Sequence, residues 1–283
     1  MIAVEEIPLA PPAELRFRAR IGLPRFISDL VRSRELVRTL AERDIRARYK
    51  QAILGFTWVF VQPLSLLLVF MFLARHVASV NTHGVPYPIY AYIGLLPWQF
   101  FSSALSVGGL SLVTNSALLN KVYCPRQVFP TAGVMVAAVD ATLATLVLVV
   151  LFVVDGFTPK ATSYYVPLIL LVQIAFTLAI CVAVSAIVVY VRDVKNVLPL
   201  VLQIGLFATP VAYEMTKFPA SWRVPYSIIN PLGPVIDAYR RTVLLGKPPV
   251  WSQFGAGAAS AMIMLVLAAA MFSKSERGMA DVL

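Results

Sequence analysis

Long uncharged apolar runs dominate the sequence and predict membrane-spanning helices. A run of about 18 residues or more is needed to cross roughly 30 Å of hydrocarbon. The uncharged stretch 76–120 is too long for a single crossing, so it holds one span and its flanking loops. Six spans can be placed, at 51–74, about 89–113, 128–154, about 164–190, about 196–213 and about 250–273. We therefore predict an all-α integral membrane protein with six transmembrane helices and both termini on one side.

Residues 25–50 precede the first span and have a helical apolar stripe. The stripe recurs every four or seven positions, at Phe26, Leu30, Val37, Ala41, Ile45 and Tyr49. Arginines crowd the other faces, and Arg38–Glu42–Arg46 has the spacing of i,i+4 ion pairs. This pattern predicts an amphipathic interface helix that lies flat at the membrane surface, with its apolar face down. A solvated linker is the alternative interpretation.

Residues 214–249, between spans five and six, form what we call the gate region. Its uncharged runs are too short to cross a membrane, and six prolines interrupt it, at 219, 225, 231, 234, 248 and 249. We predict a broken, partly re-entrant pair of helices that dips into the outer leaflet. Non-helical backbone is tolerated at that depth only against protein or a water-filled cavity. An ordinary external loop is the alternative.

Composition and charge support a membrane protein and set its orientation. Apolar residues make up 59% and charged residues 13% of the chain, against roughly 25% charged in soluble domains. The net charge is +10, and residues 1–52 hold 11 of the 24 cations. A cytoplasmic N-terminus puts 17 cations inside and 7 outside, as the positive-inside rule requires. We expect cytoplasmic tails at 1–24 and 275–283 around a transmembrane domain at 51–274.

Catalytic chemistry is not indicated by any motif in the sequence. There is no nucleophile elbow, phosphate loop, pair of catalytic carboxylates or metal-spaced His/Cys set. We therefore expect no catalytic residue, no metal site and no cofactor bound by this chain. A membrane-embedded glycosyl- or acyltransferase would need acids or a histidine near the membrane surface. Asp193 is the one acid between spans on the cytoplasmic side, so the enzyme interpretation is disfavoured.

Four polar residues fall near the midpoints of predicted spans. They are Gln62, Asp140, Gln173 and Gln203. Polar groups at that depth find partners on neighbouring helices or line a wet cavity. For Asp140 an interhelical hydrogen bond that fixes the bundle is the preferred interpretation.

From about residue 43 onwards, seven sequence blocks are similar to those of a known protein family. They are RDIRARYKQAILGFTWVFVQPL (43–64), GLLPWQFFSSAL (94–105), NKVYCPRQVFP (120–130), YVRDVKNVLPLVLQ (190–203), FATPVAYE (207–214), NPLGPVIDAYRRTVLLG (230–246) and SERGMADVL (275–283). In this order they resemble the permease subunit of polysaccharide ABC exporters, the type-2 ABC transporters for O-antigen, capsule, teichoic acid and galactan. The first 24 residues fall outside the resemblance.

The resemblance implies an assembly and a set of moving parts. Two permease copies work as a homodimer with two cytoplasmic ATPase subunits, which use ATP-Mg. The stretch 114–127 looks like the element that couples the ATPase to the spans. Lys121 and Arg126 lie in it, and Arg43 is implied at the interface with the ATPase. Ordinary positive-inside anchors are the alternative for Lys121 and Arg126. In the gate region, Tyr239, Arg240 and Arg241 are the implied gate residues.

The resemblance also implies a substrate and a path for it. The substrate is a glycan linked to undecaprenyl pyrophosphate, and Arg46, Arg48 and Lys50 are placed to attract the anionic headgroup. Spans one and five line the glycan path, where the implied wall residues are Trp58, Gln62, Gln203, Phe207 and Tyr213. A lipid or drug ABC exporter shares the six-span plan and is the alternative function.

Overall fold

A computed structural model describes residues 23–50, 57–76, 82–119, 124–276 and 278–279. Within these ranges the chain is helical and has no strand, so the predicted all-α class is confirmed there. The α-helices are α1 (Leu23–Arg32), α2 (Arg34–Lys50), α3 (Trp58–His76), α4 (Tyr87–Gly108), α5 (Ser111–Thr114), α6 (Ser116–Leu119), α7 (Val128–Val154), α8 (Val166–Tyr190), α9 (Val194–Ala208), α10 (Ala220–Ile229), α11 (Leu232–Tyr239) and α12 (Trp251–Ser275). Two 3₁₀ turns, Ala161–Tyr165 and Met215–Lys217, and a π turn, Arg240–Leu244, complete the described elements. The predicted N-terminal tail, except its last two residues, and Lys121 lie outside the described residues.

Four helices are long and apolar enough to cross a membrane. They are Trp58–His76, Val128–Val154, Ala161–Tyr190 and Trp251–Ser275, and they correspond to predicted spans one, three, four and six. The helix at predicted span two, α4, has 22 uncharged residues, but tyrosine, proline, glutamine and serine dilute its apolar character. Predicted span five, α9, has only 15 residues. The six-span count therefore stays a prediction.

The end of predicted span five is wrong by five residues. Helix α9 ends at Ala208, and Thr209 is extended with a ψ of 141°. Thr209 precedes Pro210, whose ring disfavours helical backbone in the residue before it. Residues 209–213 therefore leave the helix, and their carbonyl groups must find donors elsewhere.

A glycine ends α7 and turns the chain toward α8. Gly156 has a φ of +62°, in the left-handed region that favours glycine. The amides of Gly156 and Phe157 donate back to the carbonyls of Val153 and Phe152. These two hydrogen bonds satisfy carbonyls in the last turn of α7 and end the helix just before Asp155.

The predicted interface helix is two helices, α1 and α2, which meet at Ser33. The predicted apolar stripe is their buried face, since Phe26, Val37 and Ala41 are all buried. These side chains pack in one cluster with residues of α7 and α12, among them Ala132 and Phe272. Protein therefore covers much of the face that we expected to lie against the membrane.

Helices α4 and α7 cross at very close range. Gly108 and Gly133 face each other there, and a methyl group on Gly133 would overlap the backbone of Gly108. The buried thiol of Cys181 on α8 fills the third side and donates to the carbonyl of Ala104 at 3.1 Å. Helices α4, α7 and α8 therefore meet at a point where α4 and α7 each have a glycine.

The gate region folds into two short helices at one end of the bundle. Helices α4, α8 and α12 begin at this end. Helix α11 is buried along most of its length and contacts α4, α8 and α12. Helix α10 is more exposed and keeps Trp222 and Ile229 uncovered. The predicted helix pair is present, whereas its re-entrant position in a membrane stays a prediction.

Replacing Gly133 by alanine is expected to destabilise the α4–α7 crossing by about 1–3 kcal/mol, the usual cost of overpacking a close contact. The added methyl group meets backbone, which cannot rotate away. The measurement is the midpoint of thermal unfolding of the purified protein in detergent. It is followed with a thiol-reactive dye in a Cys124→Ser background, so that the signal reports exposure of Cys181.

The matched control is Gly255→Ala on α12, where a new Cβ has no neighbour within 4 Å. Alanine is favoured over glycine within a helix by roughly 0.5–1 kcal/mol, so this midpoint should not fall. An unchanged midpoint for Gly133→Ala would show that the crossing is not tightly packed.

Candidate functional site

The side chains implied as path walls lie on exposed faces of α3 and α9. On α3, Trp58 is 53% exposed, and Gln62 is exposed one turn further along. On α9, Gln203 is exposed and Phe207 is 62% exposed. Within α9, which is described throughout, only Leu198 is buried. The core of the single chain therefore leaves both amide-and-aromatic faces uncovered.

Tyr213 has a different environment from the other implied wall residues. It is partly buried beyond the end of α9, and its hydroxyl group donates to the carbonyls of Phe207 and Ala208 at 3.1 and 3.0 Å. These are two of the last carbonyls of α9, which have no partner within the helix. Tyr213 therefore caps α9 with its hydroxyl group.

Asp140 on α7 joins the end of the interface helix to the bundle. Its carboxylate forms an ion pair with Arg48 at 2.5 Å and accepts a hydrogen bond from the Tyr49 hydroxyl group at 2.6 Å. Burial, followed by the hydrogen bond to Asp140, raises the pKa of Tyr49 to about 12. The phenol therefore stays protonated and donates at neutral pH. The interhelical hydrogen bond preferred for Asp140 is confirmed.

A pocket of about 210 Å³ opens beside this ion pair. Its lining includes Arg48 and two residues implied as path walls, Trp58 and Gln62. Helices α4 and α7 supply the opposite side of the pocket, with Gln99 and Asp140. The structure thus brings together residues to which the sequence resemblance gave two separate roles.

The three implied headgroup residues differ in their surroundings. Arg46 is 80% exposed and lies 3.9 Å from Glu42, a weak contact for an exposed pair. The charge of Arg48 is already paired with Asp140. The side chain of Lys50 lies outside the described residues. Of the described pair, Arg46 is the cation more available to a ligand.

Arg43 connects α2 to the stretch implied as the coupling element. Its guanidinium group donates to Asp44 at 2.9 and 2.7 Å and to the side-chain oxygen of Asn115 at 2.7 Å. Asn115 lies between α5 and α6, within residues 114–127. A hydrogen bond therefore joins α2 directly to that stretch.

Arg126 contacts the C-terminal segment of the chain. It donates to the carbonyl of Glu276 at 2.5 Å, and the Tyr190 hydroxyl group donates to the carbonyl of Ser275 at 2.8 Å. Met279, three residues after Glu276, is fully buried. The C-terminal segment is therefore anchored to the ends of α7 and α8.

Arg240 is a buried cation at the centre of the gate region. It is 3% exposed and donates to the carbonyls of Tyr90, Pro210, Val211 and Tyr213. Its guanidinium carbon lies 4.3 Å from the centre of the Tyr90 ring. Among the described residues no carboxylate forms an ion pair with it, so backbone dipoles and one aromatic ring stabilise the charge.

The other two implied gate residues flank Arg240 at the start of the π turn. The Tyr239 hydroxyl group donates to the side chain of Gln173 on α8 at 2.9 Å, and Gln173 donates to the carbonyl of Pro97 on α4 at 3.3 Å. Arg241 donates to the carbonyl of Pro248 at 3.1 Å on the exposed side. Gln173 is thus a buried link between α4, α8 and α11, not a path wall.

Comparison with known proteins decides the family. A family model described as ABC-2 type transporter matches residues 35–244, about three quarters of the chain. The chain belongs to the ABC-2 type transporter family. The resemblance inferred from the seven sequence blocks is thereby confirmed.

Three relatives of this ABC-2 chain are named as permease or transport proteins for O-antigen or polysialic acid. The O-antigen export system permease protein RfbA of Myxococcus xanthus is 30% identical over 258 residues, 91% of this chain and 98% of the relative. RfbA of Klebsiella pneumoniae is 28% identical over 215 residues, covering 75% and 81%. The polysialic acid transport protein KpsM of Escherichia coli is 23% identical over 218 residues, covering 74% and 81%. By their names, these relatives are permease or transport proteins.

Several residues of the ABC-2 chain matter in ways that sequence reasoning missed. Gln99 and Ser103 lie four residues apart on α4 and line the pocket beside Asp140. Their spacing in an uncharged helix was a usable signal for a polar face. The pairing of Arg48 with Asp140 spans 92 positions, and no local pattern reveals such a contact.

Replacing Arg240 by glutamine is expected to lower the free energy of unfolding by more than about 2 kcal/mol, because several buried carbonyls lose their donor. The midpoint of thermal unfolding in detergent is the measurement. The neighbouring substitution Arg241→Gln is the control, and it should change stability by less than about 0.5 kcal/mol because its contact is exposed. Equal effects of the two substitutions would contradict a special role for Arg240.

Proposed function

We propose that this chain is the transmembrane subunit of an ATP-driven exporter that carries a lipid-linked polysaccharide across the cytoplasmic membrane. The names of the relatives support the export of a polysaccharide. The observation that carries the proposal is the pair of exposed amide-and-aromatic faces on α3 and α9. Such a surface suits a glycan, since rings contact the C–H faces of sugars and amides bond their hydroxyl groups.

The path is formed by two copies of the chain. In a homodimer, the exposed faces of α3 and α9 from both copies enclose a passage with Trp58, Gln62, Gln203 and Phe207 on its wall. Tyr213 stands at the outer end of α9 and fixes where the wall stops. Both termini lie in the cytoplasm, in accord with the distribution of Lys and Arg.

ATP is used by two partner subunits and not by this chain. The chain carries no phosphate-binding loop, and an ABC-2 permease works with separate ATPase subunits. Closure of the ATPase pair around ATP-Mg pushes on residues 114–127, including Lys121 and Arg126. The bond between Arg43 and Asn115 passes this movement to α2. From α2, the Arg48–Asp140 ion pair passes it to α7.

The pyrophosphate of the undecaprenyl-linked glycan is attracted by the cations at the end of α2. Arg46 is exposed and has only a weak contact with Glu42, and Lys50 is the last residue of the helix. A guanidinium or ammonium group forms charge-assisted hydrogen bonds with phosphate oxygens. Arg48 adds to this attraction while it remains paired with Asp140. At the other end of the path, α10 and α11 gate the outlet around Tyr239, Arg240 and Arg241.

Charge reversal separates the roles of the two arginines on α2. Arg46→Glu is expected to lower surface polysaccharide several-fold while it leaves the unfolding midpoint unchanged, because Arg46 is exposed. Arg48→Glu places a carboxylate against Asp140 and should lower the midpoint as well. The measurements are surface polysaccharide on cells, the unfolding midpoint and co-purification of the ATPase. Loss of ATPase co-purification in Arg46→Glu would assign that residue to assembly rather than to the headgroup.

Depletion of the protein in its native host tests the function itself. If the chain exports a lipid-linked glycan, depletion should cause a polyprenyl-pyrophosphate glycan to accumulate inside the cell, and its sugars identify the polymer. Plasmid-borne wild-type protein should clear the intermediate. If the surface glycan persists and no intermediate accumulates, polysaccharide export is wrong, and a lipid or drug exporter replaces it.

A further inference from the structure

The pocket beside Asp140 holds polar groups that the fold itself does not use. Gln62, Gln99 and Ser103 line it, and their side chains form no hydrogen bond to any part of the chain that the structure describes. Gln99 and Ser103 are only partly exposed. Polar side chains without protein partners in a partly enclosed pocket favour a ligand with several hydrogen-bonding groups.

The charges that line the pocket balance. Arg48 and Asp140 form an ion pair at 2.5 Å, and Tyr49 is neutral because its pKa is raised to about 12. The remaining polar members are amides and a hydroxyl group. An anion would have to displace Asp140 from Arg48, whereas a neutral ligand finds both donors and acceptors in place.

The shape of the pocket and one of its aromatic side chains, Trp58, match a sugar ring. The side from α7 is formed by alanines at 137, 141 and 144, and these small side chains leave the space of about 210 Å³. Trp58 stands at the opening with half of its surface exposed. An indole face suits the C–H face of a sugar, while amides and the ion pair bond the hydroxyl groups around the ring edge.

We propose that this pocket binds one neutral sugar ring of the exported glycan. The proposal rests on the proposed function and names a recognition site within it. The pocket lies where α2 ends and α3 begins. Helix α2 also carries the proposed headgroup residues at 46 and 50, so a sugar near the pyrophosphate occupies the pocket while the headgroup stays outside. Recognition of this ring selects substrate at the entrance of the path, where Trp58 and Gln62 belong to both the pocket and the wall.

Binding of methyl glycosides tests the pocket directly. The full-length protein in lipid nanodiscs is titrated with the methyl glycosides of the sugars in the host surface polysaccharide, and saturation-transfer NMR reports contact with their ring protons. Gln99→Ala and Ser103→Ala should each weaken binding about tenfold, as expected for one lost hydrogen bond. Ala141→Leu fills the cavity and should abolish binding.

The matched controls replace one serine and one glutamine that lie outside the pocket. Ser106→Ala is on α4, where the hydroxyl group bonds only to its own helix through the carbonyl of Ser102 among the described residues. Gln253→Ala is in the first turn of α12. Both should bind the glycosides like the wild type. The unfolding midpoint of every variant shows that a loss of binding is not a loss of folding.

Two results would overturn the proposal. One is glycoside binding that is absent, or that Gln99→Ala and Ala141→Leu leave unchanged in folded protein. The other is inorganic pyrophosphate binding that Ala141→Leu abolishes, which would make the pocket an anion site. With either result, the proposed export function still stands if depletion causes the lipid-linked intermediate to accumulate. Failure of the depletion test instead removes the proposed function, whatever the glycosides do.

Discussion

The buried guanidinium group of Arg240 satisfies the backbone where the helical fold is interrupted. A chain within a membrane can leave the helix only where other groups bond its exposed carbonyls. Residues 209–213 leave the helix because Thr209 precedes a proline, and three of their carbonyls bond to Arg240. The same side chain bonds Tyr90 on α4. One residue thus fixes the end of α9, the start of α4 and the π turn relative to one another.

A second polar contact has a similar role at the interface-helix end of the bundle. Asp140 binds Arg48 and Tyr49 on consecutive positions of α2, while the apolar stripe of α1 and α2 packs on α7 and α12. The interface helix is therefore part of the folded bundle as well as a surface element. Its position is set by one ion pair in addition to apolar contacts, so a shift of α2 is transmitted to α7.

Much of the fold follows from the sequence because charge marks the ends of apolar runs. The bounds of α7 match the predicted span, since Arg126 and Asp155 flank an uncharged run broken only by Asp140. The end of α9 was missed because residues 209–213 are uncharged, so no charge marks where the helix stops. The partners of Arg48 and Arg240 were missed because they are distant in sequence, and in the case of Arg240 they are backbone carbonyls, which carry no sequence signal. For Gln62 and Gln173, chemically identical side chains, only packing distinguishes an exposed face from a buried link.

The sparse packing of α9 gives the subunit an uneven mechanical stiffness. Helices α4, α7 and α8 are locked by the glycine crossing and by Cys181, and any sliding there meets backbone. Helix α9 touches α4 where Gly205 lies against the indole ring of Trp98, and it buries little else. Displacing it exposes little surface, whereas displacing α4 would disrupt the core. The subunit therefore combines a rigid frame of α4, α7 and α8 with one loosely packed helix, α9. The far end of α9 is held by Arg240 and by hydrogen bonds from the side chains of Tyr226 and Asn230.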